Sequence, residues 1–185
     1  MKEHAPSRSK QKKELYKLLI ARSDVFSAHK TCTLLLNRVK GLGDELYAPL
    51  FHAAVISYGR PFVDNKSTGV LSKHWGEFQD SRLKNAHARI IKTRHELVAH
   101  SDLLARPIDI IPAGAVVADQ LEPSAKLGIK ITSYYYPRSH FIDMHDTCVD
   151  LISRLTERTD LLLSGLYDNL ELPSTPFRLV FDEGV

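Results

Sequence analysis

Apolar side chains in the first part of the chain recur every three or four positions, at Leu15, Leu18, Leu19, Val25, Phe26, Leu34, Leu35 and Val39. That spacing gathers them on one side of an α-helix and predicts a long amphipathic helix from about Lys10 to Arg38, stopped by Gly41 and Gly43. Asp44 is a candidate N-cap for a second helix, which runs through Tyr47, Leu50, Phe51, Ala54 and Val55 to about Tyr58 and ends at Gly59 and Pro61. Residues 62–75 contain Asp64, Asn65, Ser67, Thr68 and Gly69 with few apolar positions, so a mobile loop is expected there. A third helix starts between Trp75 and Asp80, carries Leu83, Ala86, Ile90, Ile91, Leu97 and Val98 towards Asp102, and has finished by Pro107.

The pattern then changes. Val116 and Val117, followed by Ile129, Ile131 and the run Tyr134, Tyr135, Tyr136, favour strands separated by Glu122, Pro123 and Ser124, so residues 108–137 read as a β-hairpin inserted between helices. Helical spacing returns from Ser139 to about Asn169 through Phe141, Ile142, Val149, Ile152, Leu155, Leu162, Leu163 and Leu166. Residues 171–185, with Pro173 and Pro176, read as an extended C-terminal tail. Four long apolar stripes bury most naturally against one another, so the expected fold is mainly α, a four-helix bundle with the hairpin as an accessory.

Composition narrows the class without naming a function. At 185 residues, 43% hydrophobic and 25% charged, the chain suits one globular domain spanning 1–185. The net charge of +3 is mild, but Lys2, Arg8, Lys10, Lys12 and Lys13 crowd the start, as either a solvated basic terminus or a surface for an anionic partner such as nucleic acid. Cys32 and Cys148 are far apart with no CxxC, which argues against a disulfide framework or a cysteine zinc site and for a reduced, cytoplasmic setting. The N-terminal pattern is neither that of a signal peptide nor that of a membrane span. P-loop, GxGxxG, HExxH and GxSxG patterns are absent.

Two groups of residues carry candidate chemistry. His140, Asp143, His145 and Asp146 have the residue types of a metal site, but on a helix only His140 and Asp143 share a face, so no full ligand set forms locally and no metal or other cofactor is expected. The second group, Lys92 to Asp102, places Arg94 six residues before His100 at the end of the third helix. Cations at a helix C-terminus interact favourably with the macrodipole whatever else they do.

The segment TRHELVAHSD resembles the Arg-x(4–6)-His signature of the HEPN superfamily, with His95 as the polar residue that commonly follows the arginine. The phrase AAVISYGRPF at 53–62 is similar to a segment of HEPN proteins grouped with abortive-infection systems, and the likeness covers roughly residues 10–105. The resemblance implies an all-helical core, a homodimer that brings two motifs into a shared cleft, and metal-independent endoribonuclease activity of a defence or toxin type. In that reading His100 moves protons near neutral pH, and the planar Arg94 fork holds the phosphate. RNA is then the substrate, with an antitoxin or regulatory protein as a further expected partner, and no membrane. His95, Lys92, Tyr58 and Arg60 are candidate substrate-binding residues around the same cleft. The alternative within the same resemblance is a non-catalytic dimer that binds a nucleotide, RNA or a protein.

Positions six apart on an ideal helix, at about 100° per residue, point roughly 120° away from each other. Arg94 and His100 therefore converge only if the helix loosens near Ala99 or a second protomer supplies part of the site. The tyrosine run 134–136 could stack bases, although strand aromatics more usually pack against a core.

Overall fold

The computed structural model describes residues 7–63, 69–98, 108–115, 126–131, 136–168 and 170–179. Four α-helices dominate: α1 (Arg8–Arg38), α2 (Tyr47–Gly59), α3 (Ser81–Val98) and α4 (Arg138–Tyr167). Single 3-10 turns occupy Arg60–Phe62 and Lys73–Gly76, and a hairpin of β1 (Ile108–Ile111) and β2 (Gly128–Ile131) stands between α3 and α4.

The long helices α1 and α4 form the spine. Leu15, Leu18, Ala21, Val25, Ala28, Cys32 and Leu35 of α1 are buried, three or four apart, and meet a matching stripe of Phe141, Met144, Cys148, Leu151, Leu155, Leu162 and Leu166 on α4. Their contacts show an antiparallel pair: Arg8 Nη2 donates to the Leu166 carbonyl at 3.0 Å, Arg158 Nη2 meets Glu14 Oε1 at 2.8 Å, and the His29 and His145 rings lie 4.5 Å apart. The first contact also places a cation on the exposed carbonyls at the α4 C-terminus, where the helix dipole favours it.

Helix α2 is apolar nearly all round; it buries Tyr47, Phe51, Ala54, Val55 and Tyr58 against the bundle and leaves the small residues Ala48, Pro49 and Ala53 exposed. Asp44 sits two residues upstream of the N-cap position, which Leu46 occupies. Its carboxylate accepts from the backbone N–H of Leu46 at 3.0 Å and of Lys40 at 3.1 Å, which holds the turn that delivers the chain to α2. Those donors hold the Asp44 carboxyl below its ordinary range. Asp80 does cap α3, accepting from the Arg82 N–H at 2.7 Å.

Of the expected loop at 62–75, residues 64–68 lie outside the described residues, and the flanks are anchored. The Leu71 N–H donates to the Pro61 carbonyl at 2.8 Å, Lys17 Nζ donates to the Val70 carbonyl, and Leu71, Trp75 and Phe78 are buried. The hairpin is antiparallel with Ile110 opposite Ile129, but its first strand is Ile108–Ile111, ahead of the Val116–Val117 pair, which lies outside the described residues. Pro112, which has no N–H to give, closes the strand after four residues. No helix among the described residues is long and apolar enough to cross a membrane.

Candidate functional site

Helix α3 is fixed along its length by polar contacts that orient its last two turns. Arg82 Nη1 reaches Asp143 Oδ1 and Asp146 Oδ2, both at 2.9 Å, and Arg89 Nη2 reaches Asp143 Oδ2 at 3.1 Å. One turn further on, Thr93 is buried and its Oγ1 accepts from the Tyr136 hydroxyl at 2.6 Å. The Tyr136 backbone N–H in turn donates to the Tyr47 hydroxyl at 2.7 Å. Tyr136 is thus a core residue that ties α2, α3 and the start of α4 together. Tyr134 and Tyr135 lie outside the described residues.

With Thr93 turned inward, Arg94 falls on the side of α3 that crosses the end of α2. Its aliphatic stem lies against Gly59 so closely that a Cβ at position 59 would come within 2.7 Å of Arg94 Cγ. Among the described residues no carboxylate or hydrogen-bond acceptor engages the Arg94 guanidinium, and the side chain is half-buried. A cationic fork held by its stem, with its head uncommitted, can meet an anion in two places at once.

The other candidate residues are placed differently. Tyr58 is fully buried and its hydroxyl lies 2.8 Å from His87 Nδ1, so it supports α2 against α3 and presents nothing to a ligand. Burial, with the Arg154 charge behind it, lowers the His87 pKa to about 4, and burial raises that of Tyr58 well above its ordinary value. Both groups are therefore held neutral, and a single hydrogen bond joins them. Arg60 lies at the surface, 3.3 Å from Asp24. Lys92 is exposed and 3.7 Å from Glu96 Oε1, and His95 is exposed. His100 lies outside the described residues.

The His140, Asp143, His145 and Asp146 group is organised by arginines. Asp143 is occupied by both Arg82 and Arg89, and Asp146 is shared between Arg82 and His145, whose Nδ1 is 3.3 Å away. Among the described residues no three His, Cys, Asp or Glu side chains stand close enough to hold a metal ion. Sequence spacing could show only that His140 and Asp143 share a face; it could not show that α3 brings two guanidinium groups to that face.

Comparison with known proteins finds no matching family model, no matching curated protein and no matching solved structure.

Proposed function

We propose that this chain is a HEPN-like, metal-independent endoribonuclease of a defence or toxin type, with Arg94 stabilising the phosphate and His100 as general acid or base. The observation that carries the reading is the uncommitted Arg94 fork, seated on Gly59 at the end of the helix that leads into the segment containing His100. Cleavage by the RNA's own 2′-hydroxyl needs a group that exchanges protons near neutral pH and a fixed positive partner for the crowded phosphate, and these two side chains supply both. A homodimer completes the site by bringing a second motif to the same phosphate.

The second reading is a non-catalytic dimer that uses the same surface to bind a nucleotide, RNA or a protein. It is favoured by the sparse surroundings of Arg94: Tyr58 is sealed in the core, while Arg60 and Lys92 are paired with carboxylates. One experiment separates the two. Single-stranded RNA is incubated with the protein and a chelator, and its ends are examined for a 2′,3′-cyclic phosphate. Cleavage that disappears in His100→Ala supports the nuclease. RNA retained on the protein but uncut, equally in both forms, supports the binding module.

A further inference from the structure

At the end of the bundle where α1 finishes and α4 begins, the structure contains a cavity of about 320 Å³. Its walls are Leu35, Val39, Tyr47, Tyr136 and Phe141, three of them aromatic, and its rim carries Lys40 and Arg138. The volume lies within the range of small-molecule sites, which are largely apolar with a few fixed polar groups. The wall residues are also committed elsewhere: Leu35, Tyr47, Tyr136 and Phe141 are all buried, so the cavity is shaped by the core and not by loose surface side chains.

The charge around the rim is of one sign. Among the described residues Arg138 has no ion-pair or hydrogen-bond partner, and no acidic residue lines the cavity. Asp44, close enough to Lys40 to feel its charge, is directed at the backbone N–H groups of Lys40 and Leu46. Arg138 is also the first residue of α4, but the C-terminal end of α1 stands at the same opening, so the two helix dipoles offset and the positive charge of the rim comes from the Lys40 and Arg138 side chains. An apolar, aromatic-walled slot beneath two cations is complementary to a small molecule with a flat apolar body and an anionic head.

We propose that this cavity is a binding site for a small aromatic carboxylate or a chemically similar amphipathic anion, independent of the nuclease reading above. The body lies against the wall formed by Tyr47, Phe141 and Val39, and the head meets Arg138 and Lys40.

Titration calorimetry of the full chain with 2-naphthoate and with the neutral 2-naphthalenemethanol tests this. The expected result is saturable binding of naphthoate, about tenfold tighter than the alcohol at low salt. Arg138→Gln, at an exposed position, should weaken naphthoate by about fivefold and leave the alcohol unchanged. Val39→Trp, which fills the cavity, should abolish binding of both while circular dichroism stays helical; if that variant does not fold, Leu42→Trp at the exposed edge serves in its place. Equal affinity for the two probes overturns the assignment of an anionic ligand. Absence of binding, or binding that survives a folded cavity-filling variant, overturns the site.

Discussion

Gly59 and Arg94 are packed so that one excludes any side chain on the other: a Cβ on residue 59 would lie 2.7 Å from Arg94 Cγ and 3.2 Å from its Cβ. The glycine allows α2 and α3 to approach and at the same time fixes where the guanidinium leaves the surface. Gly59→Ala should therefore cost about 1–3 kcal/mol through overpacking. The same substitution made in Arg94→Ala should cost clearly less, because the stem it strikes is gone. A double-mutant cycle from urea denaturation measures the difference. Equal costs in the two backgrounds would show that the contact does not exist.

Arg154 clamps the segment before α3 onto α4. Its Nη1 donates to the Glu77 carbonyl at 3.2 Å and its Nη2 to the Trp75 carbonyl at 3.3 Å, while the guanidinium lies 4.6 Å from the Phe78 ring centroid. Arg154→Ala should destabilise the fold by about 2–3 kcal/mol, because two charge-assisted hydrogen bonds and a cation–π contact go together. Trp75 is the sole tryptophan, so the loosening should appear as a red shift in its fluorescence. Arg154→Lys should restore little, since an ammonium cannot reach two carbonyls and cover a ring at once.

The sequence exposed the helices more clearly than the site. Three-and-four spacing located α1 and α4 to within two residues at each end, because each buries a continuous stripe against the other. It could not place Asp44, whose carboxylate serves a turn before α2, or the strand Ile108–Ile111, which lies between two prolines and is too short to display alternation. Tyr58 is hard to place from sequence for a related reason. Its turn-like neighbours Gly59, Arg60 and Pro61 hinted at a surface cleft, but α2 has almost no polar face to turn outward, and the ring went into the core. Arg94 was legible as a residue. Its seat on Gly59 was not, because the two are brought together only by the crossing of α2 and α3.

His87 makes stability depend on pH in a fixed direction. It is packed against Tyr58, Phe62 and Phe78 near the Arg154 charge, and its pKa falls from 6.5 to about 4. The folded state holds the neutral ring, so the stability it contributes is complete above pH 6.5 and is lost as pH falls towards 4. The loss should reach about 2 kcal/mol by pH 5 and about 3 kcal/mol by pH 4. His29 and His140, whose pKa values are also lowered mainly by burial, act in the same direction. Urea midpoints between pH 7 and 4 should fall steeply in the parent and less in His87→Asn; parallel slopes would remove His87 from the explanation.

Cys32 and Cys148 are free and fully buried on facing stripes of α1 and α4, and burial raises both thiol pKa values, Cys32 to about 12. Thiolate is the reactive form, so both should resist a disulfide-exchange reagent at pH 8 for as long as the protein is folded and react within the dead time in denaturant. Their labelling rate should follow global unfolding, since both are sealed in the contact between α1 and α4. Fast labelling of one thiol in native buffer would mean that the spine opens locally.

The planarity of Arg94 separates the proposed chemistry from simple charge attraction. If the guanidinium grips two oxygens of one phosphate, Arg94→Lys retains the charge and loses the fork, so RNA cleavage should fall nearly as far as in Arg94→Ala. Losing a transition-state charge partner costs about 10²–10³-fold, and losing the acid-base group in His100→Ala about 10²–10⁴-fold, so both effects are visible on a gel. His95→Ala, which removes an exposed side chain, should be milder. DNA, without the 2′-hydroxyl nucleophile, should remain uncut by every form. If Arg94→Lys instead cleaves RNA as well as the parent, the arginine contributes only positive field, and the phosphate grip must be assigned to other groups.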